Sequence, residues 1–298
     1  MMKRFLFKTG VAVVGAGILI SVLYLALVLR KNPDLLQMDR YSIYLFGDSQ
    51  LYRGVSTDQL SKETGMKTFA VVRPGSGLYN LHSMSFLIPD SSLVVVGFSA
   101  QSMIRSQWGV DKGFLFLPTV FTMAEMGWPP YQIKQLIENN LRPNKLLPAP
   151  LEPFPYQPEP IFRNEGIIRS MADQNETNID EVKSKLFISA IENFRRGGCR
   201  ILLIEFPLHP NFWKKARENG IAERISAIRN GLERELGLVP ATIITLQSDS
   251  NLFYDYTHVN VAGQLQISHH VALELSRPDS VQIRSLRFSV QSEFPADR

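Results

Sequence analysis

Short apolar runs alternate with longer amphipathic stretches through most of the chain after residue 40. The apolar runs predict five strands, at 42–46, 68–72, 92–97, 200–206 and 242–246. The third run, with three consecutive valines, is typical of a strand that is buried on both faces. This alternation predicts a three-layer α/β/α sandwich around a five-stranded parallel sheet.

The stretches between the strands have apolar residues at three- and four-residue spacing, which predicts helices. The predicted helices lie at 59–64, 78–86, 178–194, 212–236 and 260–275. Gly197 and Gly198 end the third of them. Asn260 is placed as the N-cap of the last helix.

The first 31 residues differ from the rest, because a basic segment precedes a long apolar run. Residues 9–29 are uncharged and mostly apolar, and a bilayer core requires about 20 such residues. We predict a signal anchor at 1–31 that holds residues 9–29 in the lipid bilayer, with a cleaved signal peptide as the alternative. The basic residues on the N-terminal side slightly outnumber those after the run, which favours a main domain outside the cytoplasm.

Residues 107–165 interrupt the pattern within the α/β domain predicted at 32–276. Ten prolines fall in this insert, so the stretch 143–160 is neither regular helix nor central strand. Short helices are predicted at 123–128 and 131–139. The insert is predicted to be a docking surface for a membrane partner or a lid, and a plain surface insert is the alternative. The tail 277–298 receives no predicted element.

Charge and cysteine content exclude several classes of function. The net charge is +4, and the basic residues are scattered rather than clustered, so no nucleic-acid partner is predicted. A modest positive charge suits a protein working near anionic lipid or glycan. The lone Cys199 lies beside an apolar run and is expected to pack there. No metal-ligand spacing or nucleotide-binding loop is present in the sequence, so no metal and no cofactor are predicted.

Two short motifs contain the candidate chemistry. Gly47-Asp48-Ser49 ends the first predicted strand and places a serine at the edge of the sheet. Asp255 and His258 form an Asp-x-x-His pair before the last predicted helix. A serine hydroxyl needs an adjacent base, and that base needs an acid to orient it, so the two motifs contain the parts of a Ser-His-Asp triad. Each motif alone is also typical of a turn or a helix cap.

The other polar candidates are interpreted as structural. Asp48 is expected to fix the turn rather than to act as the triad acid. His209 follows the fourth strand and is the best alternative histidine, because the ends of parallel strands face the ligand crevice. The remaining histidines are expected to be structural or solvated: His82, His269 and His270.

The order of these motifs resembles that of the SGNH, or GDSL, hydrolase superfamily of esterases, lipases and acyltransferases. Its first block is Gly-Asp-Ser and its last is Asp-x-x-His, as at 47–49 and 255–258. A Gly/Ser-rich turn at 71–77 and a strand end at 92–99 occupy the places of its second and third blocks. The resemblance implies a flavodoxin-like fold with Ser49 as nucleophile, His258 as base and Asp255 as the orienting acid.

The resemblance also implies an oxyanion hole, from which this sequence departs at two positions. The asparagine of the third block is Ser99 here, with Gln101 two residues on. The second-block glycine aligns with Pro74 or Gly75, and only Gly75 has an N–H to donate. The implied oxyanion-binding residues are Ser49, Gly75, Ser99 and Gln101.

The layout resembles one branch in particular: the membrane-anchored D-alanyl transfer protein of teichoic acid modification and polysaccharide O-acetylation proteins. That resemblance implies a single-pass protein of the cytoplasmic membrane, with a serine esterase or O-acyltransferase domain outside. Its substrate would be a glycan or small ester, the acyl group acetyl, and its partner a multi-spanning membrane acyltransferase. A non-catalytic assembly or binding subunit is the alternative, which Ser99 at the asparagine position favours.

Overall fold

A single parallel sheet organises the chain. The computed structural model describes residues 19, 22–72, 78–98, 117–140, 154–156, 177–238, 241–247, 252–277 and 281–290. Within them, six strands are arranged in the order β2-β1-β3-β4-β6-β5, and every neighbouring pair is parallel. The strands are β1 Ile43–Gly47, β2 Thr68–Val72, β3 Leu93–Phe98, β4 Arg200–Glu205, β5 Thr242–Thr245 and β6 Ile283–Ser289.

Helices cover both faces of this sheet. Their bounds are α1 Ser49–Gly54, α2 Thr57–Thr64, α3 Leu78–Met84, α4 Leu117–Glu125, α5 Pro130–Asn140, α6 Thr177–Arg196, α7 Pro210–Glu218, α8 Ile221–Glu235 and α9 Val261–Leu275. Helices α3, α6, α7 and α8 contribute to the core on one face, and α1, α2 and α9 contribute to the core on the other. The predicted α/β architecture with a parallel sheet is therefore confirmed.

Side chains of β1 alternate between the two cores. Tyr44 and Phe46 belong to the first core, whereas Ile43 and Leu45 belong to the second. All four are buried, and the three apolar ones, Ile43, Leu45 and Phe46, each contribute roughly 1.5–3 kcal/mol by leaving water. The first five strands lie within one residue of their predicted bounds.

The prediction of five strands is wrong, because β6 lies in the tail that received no element. It enters the sheet between β4 and β5, and Ile283, Leu286 and Phe288 are buried. Two arginines stand among its apolar residues, so the sequence does not display the continuous apolar run that predicts the other strands. Arg284 pairs with Glu274, and Arg287 pairs with carboxylates from β4 and α8 at 2.8 and 2.7 Å. These ion pairs make charged side chains tolerable inside the sheet.

The helix predicted at 212–236 is also wrong as a single element. It consists of α7 and α8, and Gly220 between them has a φ of 66°. This left-handed conformation costs glycine little and redirects the chain. The apolar spacing continues across the break, which explains why the sequence predicts one helix.

The N-terminal segment joins the domain core directly. Residues 22–31 are helical, and a 3₁₀ helix, Pro33–Arg40, follows. Val28 and Met38 are buried in the first core. No helix within the described residues is long and apolar enough to cross a membrane, and most of residues 9–21 lie outside the described part of the chain.

The insert contributes α4 and α5. The helix predicted at 131–139 is confirmed by α5, whereas α4 begins and ends earlier than the helix predicted at 123–128. Met123 and Trp128 pack against Leu186 of α6 in a separate apolar cluster. This part of the insert therefore packs on the domain. Of the proline-rich stretch 143–160, residues 154–156 are described.

Candidate functional site

Ser49 is the first residue of α1, which begins immediately after β1. Asp48 caps this helix, because its Oδ1 accepts a hydrogen bond from the Gln50 N–H at 2.8 Å. The expectation that Asp48 fixes the turn is thus confirmed. The sequence does not predict α1, because a helix of six residues is too short to display a periodic apolar face.

Two glycines allow α1 to lie close against the sheet. A Cβ at Gly54 would lie 2.4 Å from Phe206 Cε1, and a Cβ at Gly97 would lie 2.9 Å from Leu51 Cβ. Both separations are too short for ordinary packing, so a side chain at either position would push α1 outward. The position of Ser49 therefore depends on these glycines.

Asp255 and His258 lie in a loop between β5 and α9 that folds back on itself. The Tyr254 N–H donates to the His258 carbonyl at 2.8 Å, and the Asn260 N–H donates to the Leu252 carbonyl at 2.9 Å. The Asn260 side chain also accepts from two backbone N–H groups in the first turn of α9, which confirms the predicted N-cap. The backbone is thus fixed on both sides of His258.

Ser49, His258 and Asp255 form a continuous hydrogen-bonded chain. His258 Nε2 lies 2.8 Å from Ser49 Oγ. His258 Nδ1 lies 2.8 Å from Asp255 Oδ2 and 3.0 Å from Oδ1. The fold therefore brings together, across 209 positions, the three residues that the two sequence motifs single out.

The Asp255 carboxylate is held as an anion. Burial raises the pKa of Asp255, but hydrogen bonds from His258 and from backbone N–H groups outweigh burial and hold the pKa below its ordinary value. Its Oδ1 accepts from the Thr257 N–H at 2.7 Å and from the His258 N–H at 2.9 Å. An ionised acid can both orient the imidazole and stabilise an imidazolium.

Two buried glutamines join the serine helix to its neighbours, one to the histidine loop and the other to α9, which follows that loop. Gln50 Nε2 donates to the Thr257 carbonyl at 2.7 Å, and Gln264 Nε2 donates to the Arg53 carbonyl at 3.0 Å. These bonds fix the distance between α1 and the segment that contains His258. Sequence reasoning missed both residues, because no local pattern separates a buried glutamine from an exposed one.

Phe154 of the insert borders the site and was also missed. Its ring centroid lies 5.5 Å from that of His258, and its ring stacks on Tyr254. Phe154 stands between two prolines, where neither helical nor strand periodicity reveals a packed side chain. The lid or docking role of the insert as a whole stays a prediction.

The implied oxyanion-binding residues are described only in part. Ser49 is described, whereas Gly75, Ser99 and Gln101 lie outside the described residues. Their contribution to an oxyanion hole stays a prediction from the resemblance.

His209, the alternative histidine, lies beside the loop in a structural role. Its ring Nδ1 accepts a hydrogen bond from the Asn211 N–H at 3.1 Å and caps α7. The backbone N–H of His209 donates to the Tyr256 carbonyl at 3.0 Å. Burial lowers the pKa of His209 below its ordinary value, because it disfavours the charged ring. This arrangement supports the loop and agrees with the structural interpretation.

His82 lies in a separate buried cluster that links the insert to the core. Its Nδ1 is 3.0 Å from Thr119 Oγ1 of α4, and its Nε2 is 3.0 Å from Ser189 Oγ of α6. Burial, with a smaller contribution from Arg196, lowers the pKa of His82 to about 4. The imidazole is therefore neutral in the folded protein at neutral pH.

We expect His82 to make the protein less stable in mild acid. Its pKa falls from 6.5 in the unfolded chain to about 4 on folding, so the unfolded state binds the proton first. The free energy of unfolding should fall as pH drops from 6.5 towards 4, by about 3 kcal/mol from this group. Urea unfolding measured across this pH range should show a smaller fall in the free energy of unfolding for His82→Gln than for the unaltered protein. Equal falls would contradict this assignment.

No known protein-family model matches the chain, and no curated protein matches it. The function of the site must therefore be argued from the residues and their geometry.

Proposed function

We propose that this protein is a membrane-anchored serine esterase or O-acyltransferase of the SGNH type. It acts outside the cytoplasm on acyl esters, most simply acetyl esters, of a cell-surface polysaccharide. The observation that carries the proposal is the chain from Ser49 through His258 to Asp255, with hydrogen bonds of 2.8 Å on both sides of the imidazole. These distances suit proton transfer from a nucleophile to a general base.

In the first half-reaction, Ser49 Oγ attacks the ester carbonyl carbon while His258 Nε2 takes the serine proton. The tetrahedral intermediate collapses, the carbon–oxygen bond to the leaving alcohol breaks, and His258 returns the proton to that oxygen. Asp255 holds the proton on Nδ1 and stabilises the imidazolium between these steps. The product is an acyl group on Ser49.

In the second half-reaction, His258 removes a proton from water or from a sugar hydroxyl, whose oxygen attacks the acyl carbon. Collapse of this intermediate releases the carboxylic acid or the acylated sugar, and His258 returns the proton to Ser49. Hydrolase and transferase thus share one acyl-enzyme and differ only in the acceptor.

The negative charge on the carbonyl oxygen requires donors that are already in place. The resemblance assigns this role to the Ser49 N–H, the Gly75 N–H, and Ser99 or Gln101. Ser49 supports this role because its backbone starts α1 at the end of β1. A serine hydroxyl at position 99 can donate as the family asparagine does, over a shorter reach.

Attachment to the cytoplasmic membrane rests on the apolar run 9–29 and its basic flanks. The helical residues 22–31 lead from this run into the domain, where Val28 is buried in the core. A domain joined so closely to an anchor would work near the membrane surface. A multi-spanning acyltransferase that supplies the acyl group would be its partner there.

Product analysis tests the choice between hydrolysis and transfer. We expect the full-length protein in detergent to release 4-nitrophenol from 4-nitrophenyl acetate, and an added oligosaccharide to gain acetyl groups that mass spectrometry detects. The variant Ser49→Ala should form neither product, which controls for spontaneous transfer. Release of acetate alone, with no acetylated sugar, would reduce the proposal to an esterase. A folded protein that releases no nitrophenol would favour the non-catalytic assembly subunit.

A further inference from the structure

We propose that Phe154 is a positioning residue that holds the His258 imidazole in line between Ser49 and Asp255. This inference rests on the proposed function and extends it. It also makes the insert 107–165 a contributor to the geometry of the site.

The backbone of Phe154 is fixed next to the catalytic loop. The Phe154 carbonyl accepts from the Val261 N–H at 2.9 Å, and Phe154 forms a parallel bridge with Asn260. Asn260 is two residues after His258 and caps α9. The insert is therefore attached to the loop at the point where the loop ends and α9 begins.

The Phe154 ring contacts both halves of the site. It stacks on Tyr254 with centroids 3.8 Å apart and planes 3° apart, and Tyr254 directly precedes Asp255. The Arg53 Cζ lies 4.2 Å from the ring centroid. Arg53 stands four residues after Ser49 on α1, and residues at this spacing share a helix face. The ring thus lies between the serine helix and the histidine loop.

The contact with His258 has the geometry needed to restrain the imidazole. The two rings are T-shaped, at 72° with centroids 5.5 Å apart, which is a favourable aromatic arrangement. The hydrogen bonds to Ser49 and Asp255 use the two ring nitrogens, so both lie near the imidazole plane. These two hydrogen bonds resist rotation of the imidazole within its own plane better than a tilt of the ring out of that plane. A ring packed across the imidazole opposes this tilt.

Kinetics of three variants with 4-nitrophenyl acetate test the proposal. Phe154→Ala should lower kcat by about tenfold and change KM by less than about twofold, because orientation of the base matters more in the transition state than in substrate binding. Phe154→Tyr keeps the ring and should restore most of kcat. Tyr156→Ala removes an exposed aromatic ring from the same segment and should leave kcat unchanged.

The orientation of His258 can also be measured without turnover. In NMR spectra, the proton that His258 Nδ1 donates to Asp255 should exchange with water faster in Phe154→Ala than in Phe154→Tyr. Unaltered kcat and exchange in Phe154→Ala would overturn the inference, and so would an equal loss in Tyr156→Ala. An inert wild-type protein would overturn the proposed function instead, whereas the exchange measurement would still decide the role of Phe154.

Discussion

Replacing Ser49 with alanine is expected to lower kcat for a short acyl ester by about 10³-fold or more, because the members of a triad act as a unit. Alanine removes the Oγ that lies 2.8 Å from His258 Nε2, and no acyl-enzyme can then form. The measurement is release of 4-nitrophenol from 4-nitrophenyl acetate at saturating substrate. The fold should be unaffected, because Asp48 rather than the Ser49 side chain caps α1.

The matched control for this variant is Ser226→Ala. The Ser226 hydroxyl donates to the Ala222 carbonyl within α8, far from the histidine loop in sequence. The control should retain wild-type kcat. Full activity of Ser49→Ala, in preparations free of wild-type enzyme, would exclude Ser49 as the nucleophile.

Asp255→Asn is expected to cause the second large loss, of about 10⁴-fold in kcat with a much smaller change in KM. The amide has nearly the shape of the carboxylate, but it is neutral and cannot stabilise the imidazolium. Its NH₂ group can also donate to His258 Nδ1, which would favour the wrong imidazole tautomer. Steady-state kinetics on the same ester would measure both constants.

Asp58→Asn is the corresponding control, because it also exchanges a carboxylate for an amide. Asp58 is exposed in the first turn of α2, and its loss should leave kcat near the wild-type value. If Asp255→Asn behaved like this control, the acid would have no part in orienting His258.

The meeting of Ser49, His258 and Asp255 could be predicted from sequence because each of the two motifs is local. Gly47-Asp48-Ser49 follows an apolar strand, and Asp255 and His258 precede a helix with a recognisable N-cap. Their meeting in space depends on a fold in which loops gather at the same edge of a parallel sheet. The apolar runs were sufficient to predict the parallel sheet, although not its sixth strand.

The missed features depend on contacts between distant segments. Strand β6 contains Arg284 and Arg287, whose partial burial becomes acceptable only beside carboxylates from other elements. Phe154 packs against Tyr254 of the loop and Arg53 of α1, although its neighbours in sequence are prolines. The break at Gly220 lies within continuous apolar spacing. For Phe154 and Arg287 the deciding partners are far away in the chain.

A covalent label tests the central claim most directly. The full-length protein would be incubated with a fluorophosphonate, digested with a protease and analysed by mass spectrometry. The proposed triad predicts a single adduct on Ser49 that is absent from Ser49→Ala and greatly reduced in His258→Ala, with no label on Ser56 or Ser226. A correctly folded protein that takes up no label, or takes it up at another serine, would contradict the assignment of Ser49 as the nucleophile.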